Sequence, residues 1–119
     1  MQLTDEKRKT ERKSVALPLR YREFSGSTYV SRGTLSKNLS EGGIKFDAEG
    51  FLPLASHLFV EMNLPAMSKT IKAISKIAWI KKLPAGEKYE VGSHFLAMTS
   101  EDEALMSQFI VSISRPSRY

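Results

Sequence analysis

The sequence has no cysteine. That absence excludes a disulfide scaffold, a cysteine-based zinc site, an iron–sulfur cluster and a thiol nucleophile together, and it permits a reducing compartment. Long apolar runs are missing too. No stretch approaches the ~20 consecutive apolar residues of a membrane-spanning helix, and the N-terminal segment is charged where a signal peptide would be apolar. The expectation is a cytoplasmic protein with no membrane insertion. Histidine is scarce: His57 and His94 fall in different strand-like segments, without His-x-x-x-His or carboxylate spacing around them, so no metal is expected. Neither a P-loop nor G-x-G-x-x-G occurs, which removes the footing for phosphate transfer or a dinucleotide cofactor. Asn38-Leu-Ser-Glu-Gly42 has the outline of a nucleophile elbow, but Asn stands where that motif needs Gly, and Gly43-Ile-Lys-Phe46 reads as strand rather than helix. No catalytic residue emerges, and the chain is expected not to be an enzyme.

What is present suits one folded domain. The chain has 119 residues, 41% hydrophobic and 26% charged, enough to build a core. Lys and Arg number 18 against 13 Asp and Glu, and the net charge of +5 favours an anionic partner without choosing one. Positive charge is dense in Met1 to Lys13, where Lys7, Arg8, Lys9, Arg12 and Lys13 accompany only Met1 and Leu3 as large apolar residues. Residues 1–13 are therefore expected to form a mobile basic arm, 14–114 the folded domain and 115–119 a tail.

Period-two alternation dominates the rest. Val15, Leu17, Leu19 and Tyr21 mark a first strand, expected at a sheet edge because of Pro18. A turn at Ser25-Gly26-Ser27 leads to a second extended run, Thr28 to Leu35, then to a tight connection over Asn38–Gly43 and a short strand at Ile44–Phe46. Leu58, Val60, Met62 and Leu64 mark a fourth strand ending at Pro65. Ile71, Ala73, Ser75, Ile77 and Trp79 share one face of a fifth, and Pro84-Ala-Gly86 turns the chain into a sixth with Tyr89, Val91, Ser93, Phe95 and Ala97. Tyr21, Trp79 and Phe95 are thus assigned to the core, and only Phe59 has a claim to be an exposed aromatic. Ser100 and Glu103 form a capping-box pattern before Leu105, Met106, Phe109, Ile110 and Ile113, the apolar stripe of a C-terminal helix. The pattern indicates a small six-stranded antiparallel β-barrel with a C-terminal α-helix closing one end or lying against its side.

Two short motifs remain: Arg8-Lys-Thr-Glu-Arg12 in the arm and Asn38-x-Ser40-x-x-Gly43 after the second strand. Singly, one is a solvated basic run and the other an ordinary turn. In this order, on this strand pattern, they resemble the PilZ domain family of bacterial cyclic di-GMP receptors. The resemblance extends through Val15–Tyr21, Ile77–Ile80, Val91–Phe95 and the Ser-Glu-Asp-Glu start of the final helix. It implies an all-β-dominated split barrel with a C-terminal helix, and cyclic di-GMP as ligand with no other cofactor. It also implies an unidentified downstream protein as partner, no DNA or RNA, and Arg8, Arg12, Asn38, Ser40 and Gly43 as ligand-binding residues.

The chemistry suits that ligand. A guanidinium can bond phosphate, pair with guanine O6 and N7, and stack on a base. The Asn38 side-chain carbonyl can accept from guanine N–H groups, the Ser40 hydroxyl can donate or accept, and Gly43 admits close backbone approach. Lys7 and Lys37 stand where they could add phosphate contacts, with solvated surface positions as the alternative. Two other readings stay open: a PilZ-type protein-interaction module that does not bind nucleotide, and a small basic barrel for single-stranded nucleic acid.

Overall fold

A computed structural model describes residues 12–24 and 31–114. The expected arm, apart from Arg12 and Lys13, and the tail lie outside the described residues, as does the turn at Ser25–Ser27. Seven strands are described: β1 Lys13–Ser14, β2 Pro18–Glu23, β3 Arg32–Ser40, β4 Gly43–Glu49, β5 His57–Leu64, β6 Lys69–Lys82 and β7 Lys88–Met98, followed by α1 Ser100–Ser114. The strands pair antiparallel in the order β1-β3-β2-β5-β6-β7-β4, and β4 pairs again with β3. That last pairing closes β2 to β7 into a six-stranded barrel, with β1 as one extra strand on β3. Among the described residues no helix is long and apolar enough to cross a membrane.

The alternation that fills the barrel is cleanest in β5, where Leu58, Val60, Met62 and Leu64 are all fully buried. Opposite them, β6 contributes Ile71, Ala73 and Ile77, and β4 contributes Ile44 and Phe46. Met106, Phe109 and Ile110 of α1 join the same buried cluster. Removing such side chains to alanine costs about 2–5 kcal/mol each, so the barrel and helix are one cooperative core.

Five expectations from alternation and local signals change. Strand β2 is not an edge: it lies between β3 and β5, and Pro18 is tolerated because it is the strand's first residue. The irregular stretch before it is held by the buried Ser36 side chain, whose hydroxyl donates to the Val15 carbonyl and accepts from the Leu17 N–H at 2.8 Å. Trp79 leaves the core face, because a register shift between Ile77 and Trp79 resets the alternation of β6, so that Ile80 packs inward while Trp79 stays 37% exposed. A second shift at Leu96 turns Ala97 outward and leaves Met98 against the core. Tyr21 and Phe95 keep their expected places, buried and partly buried against the core. The helix cap moves back one residue: Thr99, not Ser100, bonds the first turn, its Oγ1 accepting from the Asp102 N–H at 3.1 Å and its carbonyl from the Glu103 N–H. Phe24 and Phe51 are exposed aromatics that alternation did not single out.

Candidate functional site

Asn38 and Ser40 were expected in a connection. The structure places both in β3, and the connection shrinks to Glu41-Gly42, since Ser40 already pairs with Gly43 across the β3–β4 hairpin. The cause is a bulge at Lys37. The register shifts between Ser36 and Asn38, so Leu39 points into the barrel opposite Ile44 while Asn38 faces outward beside Lys45. A bulge re-aims the residues after it, and here it turns a motif side chain out of the wall.

Strand β1 brings the other motif to that spot. Lys13 pairs with Leu39 and Ser14 with Asn38, which delivers Arg12 to the end of β3. Arg12, exposed, donates through Nη1 to Asn38 Oδ1 at 3.0 Å, a bond between side chains 26 residues apart in sequence. Lys7 and Arg8 lie outside the described residues.

The remaining motif positions are structural in this form. Ser40 is buried, and its Oγ accepts from the Gly42 N–H at 3.2 Å, fixing the turn. The Gly42 carbonyl in turn accepts from the Phe95 N–H at 2.9 Å, which ties the turn to β7. At Gly43 the reason for glycine is the packing of two strands: a Cβ there would lie 2.1 Å from the Ser93 carbonyl oxygen. The close approach that glycine permits here is to β7.

Lys37 is engaged rather than open. Its ammonium donates to Glu90 Oε2 at 2.9 Å and lies 3.2 Å from Asp47 Oδ1, two carboxylates that sit opposite each other on β7 and β4. The hydrogen bond to Glu90 and the neighbouring Asp47 carboxylate raise the Lys37 pKa above its ordinary value, and the bond from Lys37 holds Glu90 below its own. The Lys37 side chain is 41% exposed and that of Glu90 16%, so solvent screens the lysine end of the pair and the cluster fixes the bulge more than it stabilises the fold. Sequence reading missed Glu90 and Asp47, because only the bulge carries Lys37 to them.

A cleft of about 340 Å³ opens between the Glu41-Gly42 turn, the end of β7 and α1, lined by Glu41, Phe95, Met98, Glu103, Met106 and Ser107. Its two carboxylates make it a poor seat for a phosphate. Among the described residues no group of three or more His, Asp or Glu is placed to hold a metal.

A family model of the PilZ domain matches residues 6–112. No match was found among curated proteins. Solved structures share the fold. The Bacillus subtilis inhibitor of motility MotI (DgrA) aligns with a TM-score of 0.71 and 21% identity over 87% of this chain and 48% of that one. The PilZ domain of CeSA from a cellulose-synthesizing bacterium aligns at 0.63 and 11% identity over 89% and 100%. Borreliella burgdorferi PlzA, solved in complex with c-di-GMP, aligns at 0.58 and 12% identity over 99% and 58%. The chain thus spans about half the length of MotI.

Proposed function

The chain belongs to the PilZ domain family, and from that premise we propose that it is a bacterial, cytoplasmic receptor for cyclic di-GMP that passes the signal to a partner protein through its N-terminal arm. The observation that carries the reading is the bond from Arg12 to Asn38, which joins the two motifs at one exposed edge of the barrel. Cyclic di-GMP is the ligand found on PlzA, a structural neighbour. In this reading Arg12 and Arg8 supply charge-assisted bonds to phosphate and stacking on guanine. Asn38 offers its amide to a guanine edge after releasing Arg12. Ser40 and Gly43 act by shaping the surface on which the ligand rests, Ser40 by holding the turn and Gly43 by letting β4 close on β7. Lys37, committed to two carboxylates, is left out of the contact set, and Lys7 remains a phosphate contact supplied by the arm. The work of the site is binding and relay, with no bond made or broken.

Calorimetric titration of the full chain with cyclic di-GMP tests the reading. Binding that is lost in Arg12→Ala supports it. Absence of binding to the wild-type chain overturns it and leaves a PilZ-type interaction module.

A further inference from the structure

The barrel wall opposite the β3–β4 hairpin carries a second surface. Because Leu19 and Tyr21 of β2, Leu58 and Val60 of β5, and Ala73 and Ser75 of β6 point inward, the residues between them face out. Register sets Arg22 beside Phe59 and Phe59 beside Ile74, and Lys76 follows one outward position further along β6. Phe24 leans across this row, its ring centroid 6.0 Å from Phe59 and 6.4 Å from His57, yet it stays 50% exposed. The result is an apolar band that runs from Phe24, just past the end of β2, to Phe59 on β5 and its neighbour Ile74 on β6. Arg22 and Lys72 lie on one side of it and Lys76 on the other. The neighbouring row holds Glu61 between Arg20 and Lys72, and Asp102 of α1 accepts from the Lys72 N–H at 3.0 Å, so that row is balanced and the positive excess lies with Arg22 and Lys76.

We propose that this face is a docking surface for an acidic amphipathic helix of a partner protein. Strands β2 and β5 are each paired on both sides, so a partner cannot add a strand there and must be held by side chains. A helix laid across the strands meets them in step, since its turns repeat every ~5.4 Å and strands lie ~4.8 Å apart. One apolar residue per turn then covers Phe24, Phe59 and Ile74 in succession, while carboxylates on either flank meet Arg22, Lys72 and Lys76. Aromatic and arginine side chains at the centre with charge at the rim are the composition of interfaces that bind tightly. Nucleic acid fits less well. The Arg22 guanidinium lies 4.7 Å over the Phe59 ring and covers the face on which a base would stack, and the aromatic rings meet at tilts of 35° and 58° rather than as a flat platform. The surface lies on β2, β5 and β6, away from the hairpin with Asn38, so both sites can be filled at once.

Fluorescence anisotropy on the full chain tests this with three labelled probes. One is a helical peptide of about 18 residues with a leucine stripe flanked by glutamates, the second is the same peptide with lysines for glutamates, and the third is oligothymidylate. The acidic peptide should bind. Phe24→Ala, at a half-exposed site that does not support the core, and the double variant Arg22→Glu with Lys76→Glu should each weaken it about tenfold or more. Four outcomes overturn the proposal: no binding of the acidic peptide, equal binding of the basic one, tighter binding of oligothymidylate to this face, or an undiminished affinity in the charge-reversed variant. Calorimetry with cyclic di-GMP on the same variants should be unchanged. Failure of nucleotide binding in the wild-type chain would count against the receptor reading alone.

Discussion

Adjacent glycines in the β3–β4 hairpin have opposite tolerances, and the contrast can be measured. At Gly43 an added Cβ would stand 2.1 Å from the Ser93 carbonyl oxygen and 3.2 Å from its carbon. Carbon–oxygen contacts below about 3 Å are strongly repulsive, so β4 and β7 must part locally by about 1 Å. The nearest bond across that gap, from the Phe95 N–H to the Gly42 carbonyl at 2.9 Å, would then exceed hydrogen-bonding distance. Overpacking costs about 1–3 kcal/mol and the lost bond about 1 more, so Gly43→Ala should destabilise the barrel by about 2–4 kcal/mol. For a domain of this size that lowers Tm by roughly 10–15 °C. At Gly42 a Cβ would lie 3.9 Å from Ser40 Oγ, an ordinary contact, and φ is not positive there. Gly42→Ala should therefore stay within about 1 kcal/mol of the parent. Thermal unfolding followed by circular dichroism reads both variants. A Gly43→Ala protein melting within about 2 °C of wild type, or a Gly42→Ala protein equally damaged, would refute the argument from strand packing.

Other expectations follow from the site. Arg12→Ala and Arg8→Ala should each weaken cyclic di-GMP binding by about 1–3 kcal/mol, roughly five- to 150-fold, with little change in Tm. Unchanged calorimetry in both removes the arginines from the site. Asn38→Ala should lose affinity at constant stability, whereas Ser40→Ala, at a buried position that fixes the turn, should lower Tm as well; a Ser40→Ala protein with wild-type Tm would contradict that division. Saturating nucleotide should slow trypsin cleavage after Lys7, Arg8, Lys9 and Arg12, and an unaltered digestion rate rules out closure of the arm over the ligand. The Lys37–Glu90 pair should add its full stability between roughly pH 4.5 and 10.5, the ordinary values of the two groups. Glu90 is depressed on folding, so its share is present above 4.5 and fades as pH falls through its folded value; Lys37 is raised, so its share is present below 10.5 and fades as pH rises past its folded value. The difference in urea midpoint between wild type and Glu90→Gln should shrink as pH falls below 4.5, and an undiminished gap there would show another cause.

Much of the barrel was legible because alternation is a direct image of burial. Leu58, Val60, Met62 and Leu64 gave β5 its bounds, and Leu105, Met106, Phe109, Ile110 and Ile113 gave α1 its inner face. Alternation fails where the ladder gains a residue. The bulges at Lys37, at Leu96 and between Ile77 and Trp79 each reset the phase, and no residue at those positions announces it. Asn38 and Ser40 looked like turn residues by composition, yet the hairpin needs only Glu41 and Gly42 to reverse direction. Glu90 and Asp47 were invisible as partners of Lys37, since cross-strand contacts depend on a register that sequence does not print. The meeting of Arg12 with Asn38 could be anticipated only from the ordered pair of motifs.

The exposed indole of Trp79 lies over bare backbone: a Cβ on Gly92 would fall 2.2 Å from its Nε1. As the chain's sole tryptophan, it is the dominant ultraviolet emitter, and it is held on the β6–β7 hairpin. Register sets Trp79 beside Gly92, Gly92 beside Lys45 and Lys45 beside Asn38, one outward row across four strands, so its emission records the melting of the barrel and also senses what occupies the edge at Asn38. Unlabelled protein thus carries its own optical probe, with two strands between it and the place where the motifs meet.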